Sequence, residues 1–315
     1  MAVATRYARL GKSGLEVSRI CLGSNNFGGQ LSADDAAKVI RRAVDLGVNF
    51  IDTANVYTDG RSEEVIGRTV KGDRDSMVIA TKVGFPMPGE PDSPDLSSAN
   101  ILAKAEQSLR NLQTDFIDLY YLHVFDSSRP LAEPLRTMNR LVEEGKIGHY
   151  GVSNYSLGQL KDAIRLCEEE DLARPVVLQP RYNLVAREAE KDLLPYCLES
   201  RLGVAVYSPL EGGLLTGKYN LSSVPPAGSR AAFKPKYWER IKAMDRFGAA
   251  DRLRSLASRI GSKPSSLAVA WVLRNRAVTS AIVGASSPSQ VEENCAAAEM
   301  DFPARVFDEL DALDG

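Results

Sequence analysis

The 315-residue chain has few of the groups that usually announce a function. Histidine occurs twice, at His123 and His149, and the four cysteines stand apart at 21, 167, 197 and 295. No cysteine pair has CxxC spacing, which speaks against a zinc ribbon, a thioredoxin-type motif and a disulfide framework. The expectation is no metal and reduced thiols, as in a cytoplasmic protein. No apolar run approaches the roughly 18 residues of a membrane span, and no secretory signal pattern opens the chain. Charge of one sign is also missing: 39 basic residues against 41 acidic ones give a formal net charge of −2. A nucleic-acid binder would need a strong positive field. The expected partner is therefore a small molecule, with no nucleic acid, no membrane and an oligomeric state left open.

Several motifs fail as well. GxGxxG is absent, so a Rossmann-type dinucleotide fold has no fingerprint. Gly212, Gly217 and Lys218 approach a P-loop, but Tyr219 stands where Ser or Thr would hold magnesium. HExxH and GxSxG do not occur.

What is present is a repeated alternation. Short β-branched runs at Ile20–Leu22, Phe50–Asp52, Val78–Thr81, Phe116–His123, Ile147–Val152, Val176–Gln179, Val204–Tyr207 and Ala281–Val283 read as strands buried on both faces. Between them, Ala33–Leu46, Ser97–Leu112, Leu131–Val142, Leu157–Leu166, Ala186–Leu198 and Pro264–Val272 carry an apolar stripe at helical spacing. Eight strands with helices between them favour an α/β fold, a closed (β/α)₈ TIM barrel with right-handed crossovers. Tyr7–Leu10, Gly14 and Val17–Ile20 read as a hairpin ahead of it. A long connection, Glu211–Lys236, follows the seventh barrel strand, and connections of that length are usually functional. With no linker or repeat, residues 1–315 are expected to form one barrel domain.

Four residues fall where a barrel places its chemistry, at or just beyond the C-terminal ends of strands. They are Asp52, Tyr57, Lys82 and His123. Each has an ordinary structural reading as a cap, a packing ring, a surface charge or a core imidazole. At successive strand ends they read together as a device for delivering a proton to a carbonyl. A tyrosine is a poor acid near neutral pH. A lysine ammonium about 4 Å away supplies on the order of 4 kcal/mol at an effective dielectric of about 20, more than the roughly 2.7 kcal/mol needed to lower the phenol by two units. Asp52 would keep the buried ammonium charged, and His123 would orient the carbonyl. None of the four carries a hydride, so a cofactor must. Lys82 also admits a different chemistry, a Schiff-base nucleophile.

The sequence resembles the aldo-keto reductases. The resemblance rests on Leu10-Gly11-Lys12-Ser13-Gly14, Asp52-Thr53-Ala54-Asn55-Val56-Tyr57, Arg61-Ser62-Glu63-Glu64, Gly151-Val152-Ser153-Asn154, Gln179-Pro180-Arg181-Tyr182-Asn183, Tyr207-Ser208-Pro209-Leu210 and Gly284-Ala285-Ser286-Ser287 with Gln290, Glu293 and Asn294. It implies NADPH-dependent reduction of aldehydes or ketones, with Asp52, Tyr57, Lys82 and His123 as the catalytic tetrad. By the same resemblance Ser153, Asn154 and Gln179 hold the nicotinamide carboxamide and Tyr207 stacks on its ring. Ser208, Leu210, Lys218 and Arg230 wrap the pyrophosphate, and Gly284, Ser286, Gln290, Glu293 and Asn294 meet the adenosine end. Gly284 and Gln290 stand where many members carry Lys and Arg against the 2′-phosphate, so NAD joins NADP as a possible cofactor. Potassium channel beta subunits share this branch of the resemblance, which leaves a cofactor-binding sensor with little turnover as the alternative. Such relatives tend to carry Asn at the position of His123, so His123 favours turnover. Phe27, Phe85 and Phe125 are candidates for an aromatic substrate cup, with Tyr237 and Trp238 closing it from the long connection.

Overall fold

The structure, a computed structural model, describes residues 6–220, 224–243 and 246–313. It opens with an antiparallel hairpin, β1 (Tyr7–Arg9) and β2 (Glu16–Ser18), in which Tyr7 faces Ser18. Its second strand is shorter than the expected Val17–Ile20. The Ser18 hydroxyl donates to the carbonyl of Ile20, and Ile20 already belongs to the next strand. Leu10 and Val17 are fully buried and join the cluster inside the barrel. The hairpin therefore plugs one mouth. Gly11 is required there: at φ +59° it packs so tightly that a Cβ would come within 2.5 Å of the Gly203 nitrogen.

Eight parallel strands follow: β3 (Ile20–Gly23), β4 (Phe50–Asp52), β5 (Val78–Val83), β6 (Ile117–Leu122), β7 (Ile147–Ser153), β8 (Val177–Gln179), β9 (Gly203–Tyr207) and β10 (Ser280–Gly284). Each pairs with the next, and β10 returns to β3 with Ala281 opposite Ile20, closing the barrel. This is a (β/α)₈ TIM barrel, as the alternation of runs predicts.

Side chains alternate across each strand. Cys21, Phe50, Val78, Ala80, Leu119, Tyr121, Val177, Ala205 and Ile282 point inward and pack together. Their neighbours Ile20, Leu22, Ile51, Ile79, Tyr120, Leu122, Leu178 and Val206 point outward into the larger core beneath the helices. Counting in steps of two along the inward column carries Phe50 to Asp52, Ala80 to Lys82, Tyr121 to His123, Val177 to Gln179 and Ala205 to Tyr207. Strand parity thus turns polar groups onto the C-terminal rim of an apolar interior.

The surrounding helices are α1 (Ala33–Asp45), α2 (Arg61–Val70), α3 (Ser98–Leu112), α4 (Ala132–Glu143), α5 (Leu157–Glu169), α6 (Leu193–Ser200), α7 (Arg230–Phe233), α8 (Pro235–Ala243), α9 (Phe247–Arg259), α10 (Pro264–Arg274), α11 (Pro288–Glu299) and α12 (Ala304–Asp311). Serine caps start several of them. The hydroxyls of Ser32, Ser97, Ser156 and Ser287 each accept an amide hydrogen three residues on.

Two expectations fail locally. The stretch Ala186–Leu198 is not one helix: a 3₁₀ turn at Glu188–Glu190 precedes α6, which begins at Leu193. Pro195 is the reason, since it lacks an N–H for an upstream carbonyl and is tolerated only in a first turn. The connection Glu211–Lys236 is also not an open loop. A 3₁₀ segment at Glu211–Thr216, the helix α7 and the start of α8 lie within it, and residues 221–223 of it fall outside the described residues.

Candidate active site

Lys82 lies at the floor of the site and is fully buried. Its ammonium donates to Asp52 Oδ1 at 2.5 Å, to the Thr53 carbonyl at 2.6 Å and to the Tyr57 hydroxyl oxygen at 3.5 Å. Gln179 completes the floor by donating from Nε2 to Asp52 Oδ2 at 2.8 Å. Register accounts for the meeting of Asp52 and Lys82: Asp52 pairs with Ala80 on β5, so both side chains sit at the top of adjacent inward columns. Burial works against the Lys82 charge, and the facing Asp52 and Tyr57 more than reverse it, so Lys82 is held above its ordinary value.

Tyr57 departs from expectation in one respect. The ammonium is as close as predicted, yet the phenol is held above its ordinary value. Burial of the hydroxyl end is the largest cause, Lys82 pulls the other way, and the Asp52 carboxylate cancels part of that pull. Tyr57 is a phenol at neutral pH.

His123 follows β6 directly. Its ring packs edge-on against Tyr57 at 6.0 Å and against Phe85 at 4.5 Å. Burial, and then Lys82, holds the imidazole well below the ordinary histidine range. It is neutral at pH 7, and its Nδ1 is buried without a hydrogen-bond partner.

These groups open into a cleft of about 1120 Å³. Asp52, Tyr57 and His123 line it, as do all the cofactor candidates: Ser153, Asn154, Gln179 and Tyr207 from the strand ends, Ser208, Leu210, Lys218 and Arg230 from the connection after β9, and Gly284, Ser286, Gln290, Glu293 and Asn294 from β10 and α11. Asn154 sits at φ +58°. It donates to the His123 carbonyl at 2.9 Å and accepts the Tyr207 hydroxyl at 2.8 Å, fixing the Tyr207 ring beside the tetrad. The starts of α10 and α11 bring Pro264, Ser265, Ser286 and Gln290 to the same wall.

The aromatic cup does not assemble as expected. Phe85 lines the cleft, at 37% exposure. Phe27 is fully buried in the main core, and what it offers the site is its carbonyl, which accepts the Thr58 hydroxyl at 2.7 Å. Phe125 packs edge-on against Tyr155 at 5.2 Å, away from the lining. Tyr237 lines the cleft, whereas Trp238 turns into a small cluster with Tyr219 and Phe247.

One constellation was missed in the sequence. Arg181 Nη2 contacts Glu211 Oε1 at 2.5 Å and its Nε donates to Oε2 at 3.2 Å. Asn183 donates to the same carboxylate at 2.7 Å and to the Ser208 carbonyl at 2.9 Å, and the Tyr237 hydroxyl donates to the Glu211 carbonyl at 2.9 Å. The loop after β8 is thereby tied to the connection after β9. Arg181 and Asn183 fall within a motif already noticed, but their partner lies 30 residues away from Arg181, and local spacing carries no sign of it.

The site has the composition a nicotinamide dinucleotide needs. Fixed amides and a hydroxyl surround the tetrad, an aromatic ring stands beside it, and the Lys218 ammonium has no carboxylate within ion-pair distance among the described residues. The starts of α10 and α11 stand on the same wall, and a helix N-terminus favours an anion.

A barrel with such a floor defines an oxidoreductase, and the chain belongs to the aldo/keto reductase family, whose model matches residues 19–315. It is 36% identical over 302 residues to a probable voltage-gated potassium channel subunit beta of Arabidopsis thaliana, covering 94% of this chain and 92% of that one. It is 35% identical over 300 residues to a putative voltage-gated potassium channel subunit beta of Schizosaccharomyces pombe, covering 92% and 87%. Among solved structures it is similar to the glycerol dehydrogenase of Gluconobacter oxydans, with a TM-score of 0.81 and 31% identity over 99% of this chain and 95% of that one. Among the described residues no helix is long and apolar enough to cross a membrane.

Proposed function

We propose that the chain acts as one barrel domain that reduces aldehydes or ketones to alcohols with NADPH, Tyr57 serving as general acid. The observation that carries this reading is the chain of contacts from Asp52 through Lys82 to Tyr57, ending at an open cleft. When bound, the reduced cofactor supplies a hydride to the carbonyl carbon. The Tyr57 hydroxyl gives its proton to the carbonyl oxygen, and Lys82 donates to the oxygen left behind, stabilising the phenolate. Asp52 keeps Lys82 charged. Neutral His123 donates a hydrogen bond to the same carbonyl oxygen and sets its direction. Ser153, Asn154 and Gln179 hold the carboxamide, Tyr207 covers one face of the ring, and Lys218 and Arg230 meet the pyrophosphate. Ser286 and Gln290 face the adenosine phosphate with a hydroxyl and an amide, so discrimination against NADH is weak.

The names of the relatives support a second reading, a cofactor-binding subunit with little turnover. The test is NADPH oxidation at neutral pH with a panel of aldehydes, on wild type and Tyr57→Phe. Turnover that collapses in the variant while both bind NADPH supports the reductase. Tight NADPH binding without turnover on any carbonyl favours the subunit. Failure to bind NADPH removes both and leaves Lys82 to be tested for borohydride trapping of a carbonyl.

A further inference from the structure

More cations line the cleft than the cofactor reading assigns. Six line it. Arg181 and Lys263 are already paired, with Glu211 and Glu293 at 2.5 Å each. Lys218, Arg230, Lys234 and Arg240 have no carboxylate at ion-pair distance among the described residues. On the reading above, Lys218 and Arg230 meet the two negative charges of the pyrophosphate, and Ser286 and Gln290 face the 2′-phosphate. Lys234 and Arg240 are given neither phosphate by that reading.

Arg240 is tied by its contacts to a ring that lines the cleft. Tyr237 and Arg240 are three residues apart on α8 and share a face. The Arg230 and Arg240 guanidinium carbons lie 5.1 Å and 5.5 Å from the Tyr237 ring centroid, one tyrosine gripping both. The Tyr237 hydroxyl is anchored on the Glu211 carbonyl, so the guanidinium groups are held by a ring that is itself fixed. Tyr237, Arg230 and Arg240 line the same cleft as Tyr57, Tyr207 and Phe85, and the charge of Arg240 bears on Tyr207, whose hydroxyl Asn154 holds beside the tetrad. The other wall there is apolar, with Phe85 standing edge-on to His123.

We propose that Arg240, assisted by Lys234, is a specificity-determining residue that recognises an anionic group on the substrate, which is an aldehyde with an apolar body and a carboxylate at its far end. The planar fork of Arg240 matches a carboxylate bidentately, Lys234 adds charge, and Phe85 accepts the apolar body. This proposal rests on the reductase reading, because it concerns what is reduced.

The test compares 4-carboxybenzaldehyde with its methyl ester, which has nearly the same shape and no charge. Wild type, Arg240→Gln and Lys234→Gln are assayed at saturating NADPH, and NADPH affinity is measured separately by fluorescence. Wild type is expected to favour the acid by about tenfold or more in kcat/KM, with the preference shrinking as salt is raised. Arg240→Gln is expected to abolish that preference through KM for the acid, with NADPH affinity retained. Equal use of acid and ester by wild type overturns the proposal. So does a loss of NADPH affinity in Arg240→Gln, which would make Arg240 part of the cofactor grip. Absence of NADPH binding by wild type, or of turnover on any aldehyde of the panel above, overturns the reductase reading and this proposal with it; turnover on that panel without use of the acid, or without charge preference, overturns this proposal alone.

Discussion

The Lys82 ammonium stands 3.5 Å from the Tyr57 hydroxyl oxygen while held to Asp52 at 2.5 Å. One cation thus faces an anion and a neutral acid together. The carboxylate keeps the ammonium charged in a dry site and cancels part of its pull on the phenol. Burial decides the balance, and the phenol stays protonated.

The first consequence is a pH dependence with opposite signs for the two directions. Carbonyl reduction needs the protonated phenol, so its kcat should be level through neutral pH and fall only as the raised Tyr57 ionises, above about 10. Alcohol oxidation needs the phenolate and should climb across the same range without a plateau below about pH 10. Initial rates in both directions from pH 6 to 10.5 check this; a reduction rate that halves by pH 8 contradicts it.

His123 gives a second, in stability. Its folded value is depressed by burial, and an unfolded histidine titrates near 6.5. Between those values the unfolded chain binds a proton that the folded one refuses, so stability falls as pH drops below about 6.5, by at most about 1.4 kcal/mol per pH unit from this group. His149 is lowered too and adds to the slope. Urea unfolding at pH 7, 6 and 5 should show a shallower fall for His123→Asn than for wild type.

The tie between Arg181 and Glu211 predicts an effect on the cleft rather than on chemistry. Glu211→Ala removes the anchor of Arg181, Asn183 and the connection after β9. Arg181 is 32% exposed in its side chain, so water relieves part of the loss, and about 1–3 kcal/mol of stability should go. NADPH should dissociate about tenfold faster in stopped-flow displacement. Unchanged dissociation would mean the connection holds its place without this tie.

Gly67 predicts a purely structural failure. On α2, a Cβ at Gly67 would approach the Leu112 carbonyl oxygen to 2.2 Å, and that oxygen is backbone at the end of α3. Gly67→Ala should push the helices apart and cost about 1–3 kcal/mol. Thermal unfolding is the measurement, and the variant that stays folded should keep its KM values.

How much of this was legible in the chain varies with distance. The barrel was, because eight β-branched runs each report their own burial and the apolar stripes between them report helices. Asp52, Lys82 and His123 were legible as well. Each continues the alternation of its own strand, and a period of two needs no tertiary information to extend by one step. The cap at Ser97 is local in the same way. Two of the failures have causes close by in the chain: Pro195 delays α6, and β2 stops where Ile20 enters the first barrel strand.

The sequence by itself settled which residues sit on the rim, since strand and helix periodicity act over a few residues. Only the tertiary structure decided which rim residues touch and with what consequence. Phe27 and Phe85 follow their strands in similar ways, yet one ring is drawn into the core and the other faces the cleft, because what packs above each loop comes from elsewhere in the chain. The state of Tyr57 is the sharper case. An ammonium near a phenol reads as a lowered acid on paper, but burial at the barrel's rim and a carboxylate 30 residues from Lys82 reverse the sign, and burial is a property of the folded whole.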